Sequence, residues 1–242
     1  MHRYFLLVSF LLVVNNLAAQ FNDSTHYYIK YASTGIINNT NDARQYVLNN
    51  ALAFNVNKRK VSLNSGVSWI YGEQSDKLIN NDFNAGATVD ILKNLQRVYY
   101  WGLANYTSSY SLKINYQFQA GAGVGFNVVN KENAELVISD GILYEASDLK
   151  LGTGQDIYNT FRNSLRIKHK FLINNLIHFD GSHFWQPSLS AIDDYIIRSS
   201  STLGVKVKKW LSITAALNYN KISRTNRENL LFTFGLAAET YF

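Results

Sequence analysis

Cysteine is absent from the 242 residues, and proline occurs once, at Pro187. An exported domain often supports a thin core with disulfides; this chain must be held by something else, such as a closed hydrogen-bonded sheet. Charge is also scarce. Asp, Glu, Lys and Arg make up 17% of the residues, against about 25% in soluble domains. Past the N-terminus no apolar run approaches the roughly 18 residues of a membrane-spanning helix. The net charge of +6 would suggest nucleic acid only if it clustered, and for an exported chain nucleic acid is set aside.

Aromatic residues are plentiful: 16 Tyr, 14 Phe and 4 Trp. Low charge, many aromatics and no spanning helix leave a β-sandwich or a transmembrane β-barrel. The opening "MHRYFLLVSFLLVVNNLAAQ" has a basic residue at Arg3, an apolar core from Tyr4 to Val14 and small residues at Ala18 and Ala19. That is the pattern of a secretory signal peptide over 1–19, with Leu17 at the −3 position and cleavage after Ala19. The alternative, a short membrane anchor, has too brief a core. Residues 20–242 then form one domain.

That domain reads at period two in segments of about ten residues. In "INYQFQAGAGVGFNVV" Ile114, Tyr116, Phe118, Ala120, Ala122, Val124, Phe126 and Val128 share one face. Asn115, Gln117, Gln119, Gly121, Gly123, Gly125 and Asn127 share the other. A strand produces that sorting and a helix scatters it. "TFRNSLRIKHKFLI" sorts Phe161, Leu165, Ile167 and Phe171 against Arg162, Ser164, Arg166, Lys168 and Lys170.

Twelve strands are predicted, at 26–37, 45–57, 60–72, 82–93, 97–109, 113–129, 134–147, 158–173, 176–187, 193–207, 211–221 and 230–242. Short turns at one rim are expected to alternate with longer connections at 38–44, 73–81, 148–157, 188–192 and 222–229. The 107–112 link is short for its class. An even strand count with that alternation is the plan of an all-β, antiparallel, up-and-down outer-membrane barrel, with both termini on the periplasmic side. A soluble periplasmic β-domain is the competing architecture.

Two stretches fit less well. In "AELVISDGILYEA" Asp140 falls on the lipid face with Leu136 and Ile138, and a bulge at Asp140–Gly141 is expected to re-aim it. "RVYYWGLANY" is aromatic on both faces. On the last strand Leu230, Phe232, Phe234, Leu236, Ala238, Thr240 and Phe242 are expected outward. A closed barrel must pair that strand with the first, because an open edge in hydrocarbon leaves backbone polar groups unsatisfied. Gly235, the alternating apolar positions, Tyr241 and terminal Phe242 resemble the C-terminal signal read by the barrel-assembly machinery.

The whole mature chain resembles the bacterial outer-membrane family called domain of unknown function 481, which includes salt-induced outer-membrane proteins. The residues that carry this are "STGIINNTNDARQY", "SWIYGEQSDKLINNDFNAGATVDILKNLQRVYYWGLANY", "YQFQAGAGVGFNVVNKENAELVISDGILYEA" and "TFGLAAETYF". The resemblance implies a membrane barrel and a link to osmotic or envelope stress. It supplies no catalytic residue and no ligand.

Candidate chemistry is sparse. "IHFDGSHF" places His178, Asp180 and Ser182 at alternate positions on the inward face of one strand. Such neighbours lie about 6.5–7 Å apart, too far for direct triad contacts. His183 points to the lipid side with no serine beside it. A lipid-modifying enzyme is therefore the lesser alternative, and the expectation is no enzymatic activity, no cofactor and no metal. The glycines of "GAGVG" sit within a strand with no helix after them, which fits relief of crowding in a curved wall better than a nucleotide loop.

Arg162, Arg166, Lys168 and Lys170 form a basic stripe, with Arg198 and Lys206 two strands away. One reading is an anion-preferring lumen. The other is a filled lumen in which these cations pair with Asp90, Glu135 and Glu239. Lys58, Arg59, Lys60, Lys93, Arg97, Lys131, Lys208 and Lys209 sit at the short-turn rim against Glu132 alone. Glu73, Asp76, Asp82, Asp148, Asp156, Asp193 and Asp194 sit toward the other rim. Snorkelling at the interface accounts for most of the basic rim, with attraction to anionic lipid head groups as the alternative. The expected protein is monomeric, structural or passively transporting, with membrane lipid and the assembly machinery as its partners.

Overall fold

A computed structural model describes residues 26–39, 44–93, 96–152 and 154–241. Its strands are β1 (Tyr27–Asn39), β2 (Arg44–Asn57), β3 (Val61–Gln74), β4 (Lys77–Ile91), β5 (Val98–Ser109), β6 (Ile114–Lys131) and β7 (Ala134–Leu151). They continue with β8 (Gly154–Asn163), β9 (Leu165–Ile173), β10 (Ile177–Pro187), β11 (Tyr195–Lys208), β12 (Leu211–Ile222) and β13 (Arg227–Tyr241). Each is antiparallel to its neighbours, and β13 pairs with β1 from Tyr28↔Tyr241 to Gly35↔Phe234. That seam closes the ring, as hydrocarbon surroundings require.

The thirteen segments make a 12-strand barrel because β8 and β9 are two halves of one stave. Both pair with β7 in a single register, Ile142↔Asn163 and Ser139↔Arg166. The interruption has a local cause. On the β10 side the ladder runs from Trp185↔Leu165 to an isolated Arg162↔Ser188 bridge. Pro187 lies between them and has no N–H to give.

The outward face is a belt of exposed apolar side chains. On β13 it shows Leu230, Phe232, Phe234 and Leu236, and on β6 Phe118, Val124, Phe126 and Val128. Inward neighbours such as Gln117, Gln119, Thr233 and Ala237 are buried. On β5 the ambiguity resolves: Tyr99 and Trp101 are buried inside, while Val98 and Tyr100 face out. The inward glycines of β6 make that possible. A Cβ on Gly125 would overlap the Tyr99 ring, and one on Gly123 or Gly141 would overlap Trp101.

Three expectations are corrected. Connections at 73–81 and 148–157 are largely strand, and the one at 222–229 shrinks to a turn over 223–226; β3 turns into β4 through Ser75 and Asp76, both at positive φ. The strands overhang any bilayer instead, since β6 and β7 have 18 residues each where about 9–11 suffice to cross. No bulge re-aims Asp140; Val124↔Asp140 and Gly123↔Gly141 are in unbroken register, and Asp140 stays outward, accepting a hydrogen bond from Asn163 Nδ2 at 2.8 Å. A register shift between Ile114 and Tyr116 instead turns Ile114 inward, where it is buried. Phe242 lies outside the described residues, as do 1–25.

Candidate functional site

The barrel axis is partly open and partly filled. A cavity of about 560 Å³ runs along the walls of β1–β4 and β10–β13, with Lys30, Asn49, Asp82, Ser182, Phe184 and Arg198 among its lining residues. A second, of about 430 Å³, lies toward the rim that holds the start of β1 and the end of β13, here the terminal rim. Its lining includes Lys30, Lys93, Glu135, Lys168, Lys170 and Asp180. Both chambers touch Lys30, Ala53, Ser182, Ser200 and Thr202, so they adjoin.

Toward the opposite, distal rim an apolar cluster occupies part of the lumen. Leu112, Ile114, Leu149, Ile196 and Ile222 form one buried apolar cluster, with Leu151 and Tyr158 packed on it. These residues come from the β5–β6 turn, β6, β7, β11 and β12, so the cluster reaches across the mouth from one wall to the other. The turn carrying Leu112 is held inward by polar bonds. Ser109 and Ser111 hydroxyls donate to Asp82 at 2.7 and 2.6 Å, and Asn229 of β13 donates to Ser111 Oγ at 2.9 Å.

A charge network lies beside this cluster. Arg162 donates through Nε to Glu145 at 2.8 Å and through Nη2 to Asp194 at 2.9 Å. Tyr158 donates to Glu145 at 2.7 Å. Arg224, in the β12–β13 turn, binds Asp194 at 2.9 Å and Asp156 at 2.8 Å. Three elements that meet at the mouth, β7–β8, the β10–β11 loop and the β12–β13 turn, are thereby tied together. Burial opposes the charged form of Arg224, but Asp194 and Asp156 more than offset it and its pKa is raised.

The predicted lumen charges divide into two groups. Lys206 reaches Glu239 at 3.9 Å, and Tyr28 donates to the same carboxylate at 3.0 Å. Lys170 sits in register between Glu135 and Asp180. Glu135 itself is taken at 2.8 Å by Lys93, which also lies 3.9 Å from Asp90. Lys93 sits in the β4–β5 turn at the basic rim, with its side chain turned inward. Burial there works against its ammonium, and Glu135 with Asp90 outweighs it, leaving its pKa raised.

Arg166, Lys168 and Arg198 are different. Arg166 donates to the Ser139 hydroxyl at 2.9 Å and stands over Trp101, 5.6 Å from its ring centroid. Arg198 donates to the side-chain carbonyls of Gln119, at 2.8 Å, and Gln117. Lys168 lies in register between Val137 and Ser182. Among the described residues none of these three, nor Lys30, has an ion-pair partner. The expected pairing of the whole stripe with Asp90, Glu135 and Glu239 is thus corrected: those acids hold Lys93 and Lys206, and Arg162 is neutralised by Glu145 and Asp194. Glu145 escaped the sequence reading, although its place on an inward-facing parity with Ser139 and Leu143 was visible.

His178, Asp180 and Ser182 do line the lumen side of β10, but no hydrogen bond joins them. A Cβ on Gly204 would overlap the His178 ring, which lies across β11. They form a polar ladder.

Residues 32–239 match the model of a family described as "Protein of unknown function, DUF481", and the chain belongs to that family. Among solved structures the chain is similar to the translocator domain of the autotransporter NalP from Neisseria meningitidis. Identity is 11%, 98% of this chain and 93% of that one are covered, and the TM-score is 0.54. It is also similar to the NanC porin, at 9% identity, with 88% and 99% covered and a TM-score of 0.52. At such identities the likeness is one of fold, that of an outer-membrane β-barrel. No curated protein matches the chain.

Proposed function

We propose that this member of the family is a narrow passive conduit with a preference for small anions, gated by the apolar cluster at its distal rim. The observation that carries this reading is the mismatch of charge in the adjoining chambers. Lys30, Lys168 and Arg198 line them without an ion-pair partner among the described residues, and together with Lys93 and Lys170 they outnumber the lining carboxylates of Asp82, Glu135 and Asp180. Fixed cations in a confined, low-dielectric space raise the local anion concentration and repel cations. A purely structural barrel would gain nothing from cavities of this size, and burying unpaired charge in a filled lumen is costly.

The protein would work as a monomer in the outer membrane, surrounded by lipid. Residues 1–19 would export it, and the barrel-assembly machinery would read its closing strand. A gated anion path fits a role under osmotic or envelope stress, when small solutes must equilibrate. Planar-bilayer recording of the purified protein tests the reading. Discrete steps with a reversal potential on the anion side are expected. Silence from both the wild type and a variant with the mouth cluster opened would refute it.

A further inference from the structure

The lipid-facing wall carries a hydrogen-bonded relay that one strand alone could not reveal. Phe179, Gly181, His183 and Trp185 occupy the outward parity of β10, and Ile167, His169 and Phe171 that of β9. Ser199 of β11 lies opposite His183. The expectation that His183 has no serine beside it is corrected across the strand. Its Nδ1 is 2.7 Å from Ser199 Oγ, and its Nε2 is 3.2 Å from His169 Nε2. Three polar side chains on three adjacent staves thus form one chain of hydrogen bonds on a face that also exposes Ile167, Phe179, Trp185 and Leu203.

Two features show that the relay is built. His169 reaches His183 only by lying across β10 at Gly181, where any Cβ would overlap its ring. Its ring also stacks on Phe171 and packs on Phe179, with centroids 5.7 and 4.7 Å away. The depth also suits a lipid substrate. Trp185, exposed on the same face, is two residues nearer the distal rim. Interfacial tryptophan marks the head-group level, and two residues of tilted strand descend about 5 Å. His183 and Ser199 therefore stand near the boundary between head groups and acyl chains, where the ester bonds of glycerolipids lie.

We propose that Ser199 is a nucleophile toward acyl esters of membrane lipids, with His183 as its base and His169 as the positioning residue behind it. In the required tautomer Ser199 Oγ–H donates to His183 Nδ1, and His183 Nε2–H donates to His169 Nε2. Ser199 Oγ attacks the ester carbonyl carbon while its proton passes to His183 Nδ1. The carbon–oxygen bond to the lipid alcohol then breaks, and that alcohol oxygen takes the proton from His183. Water, deprotonated by the same ring, attacks the acyl-serine and releases the fatty acid with Ser199 restored. Backbone N–H groups here are committed to the β9–β10–β11 ladders, and a missing oxyanion donor costs about 10²–10³ in kcat. Turnover is consequently slow, and covalent capture is the sensitive readout.

The test uses the full chain, folded in detergent micelles and in vesicles of phosphatidylethanolamine and phosphatidylglycerol. A fluorophosphonate probe is expected to label Ser199, identified by peptide mass spectrometry, while heat-unfolded protein stays unlabelled. Ser199→Ala and His183→Gln should lower labelling and fatty-acid release at least about tenfold, with heat-modifiable migration on gels unchanged; the loss of one general base is commonly worth 10²–10⁴. His169→Phe fills the space without an acceptor and should slow labelling, and His169→Gln should restore part of it. Ser201→Ala, two residues along the same face, should label as wild type. Equal labelling of Ser199→Ala and wild type, no labelling of the folded wild type, or equal rates for His169→Phe and His169→Gln would each overturn the proposal.

Discussion

Arg162 and Glu145 face each other across β8 and β7 with two hydrogen bonds, Nε to Oε2 at 2.8 Å and Nη2 to Oε1 at 3.1 Å, and neither side chain touches solvent. The remaining donors of Arg162 go to the Asp194 carboxylate and to the carbonyls of Gln186 and Asp194. A guanidinium with all its protons engaged is the arrangement that makes a buried charge tolerable. It also fastens the β10–β11 loop to the wall beside the distal apolar cluster.

Removing one partner should therefore be costly. Glu145→Gln is expected to lower unfolding stability by about 3–5 kcal/mol, while Arg162→Met with Glu145→Leu recovers most of the loss. Urea or guanidinium unfolding in micelles, followed by tryptophan fluorescence, measures both. An unchanged midpoint in Glu145→Gln would contradict the account.

The distal cluster is expected to behave as a seal. Burying one Leu or Ile side chain is worth about 1.5–3 kcal/mol. Leu149→Ser or Ile196→Ser should thus move a closed–open equilibrium toward open by roughly 10- to 100-fold. Single-channel recording would show longer openings at unchanged unitary conductance. Equal open times in wild type and variants would remove the cluster from the gating account.

Lys168 should set ion preference. Lys168→Glu places a carboxylate opposite Ser182 and beside Glu135, so the reversal potential under a salt gradient should shift from the anion side toward the cation side. The shift should shrink as ionic strength rises from about 0.1 to 1 M, where the Debye length falls from about 10 to 3 Å. A reversal potential that ignores the substitution would place selectivity elsewhere.

The glycine wall predicts a rescue. Gly125→Ala drives a Cβ into the Tyr99 ring, and overpacking of this kind costs about 1–3 kcal/mol. Gly125→Ala with Tyr99→Leu should regain stability that Gly125→Ala alone loses. Additive losses in the pair, read from the same unfolding curves, would argue against the contact.

Closure depends on Gly235. A Cβ there would overlap the carbonyl oxygen of Ser33 and the backbone of Thr34, which cannot swing aside as a side chain can. Gly235→Val is expected to leave β1 and β13 unjoined, with loss of heat-modifiable migration and of membrane-inserted protein. Normal insertion would show that the seam tolerates the extra bulk.

Much of this was readable before folding. Strand faces on β6, β9 and β13 follow from period-two alternation, which needs only the residues of one strand. The inward glycines of β6 were readable as relief of crowding, although Tyr99 and Trp101 could not be named as the crowding groups. The overhangs were misread as loops because beyond the bilayer neither face must be apolar, so the alternation that marks a spanning strand fades. Ile114 was placed outward because one register shift reverses every side chain beyond it.

Sequence alone determined the class of object: alternating segments, scarce charge and no cysteine permit a closed antiparallel barrel and set which side chains look inward. Tertiary structure alone decided which inward groups meet. Arg162 finds Asp194 on the neighbouring β10–β11 loop, Lys93 turns in to Glu135, and His169 crosses Gly181 to reach His183 and, through it, Ser199. Each of these pairings depends on the register of neighbouring staves and on the closure of the ring. Alternation within a strand is the same for every register two residues apart, so it cannot carry that information.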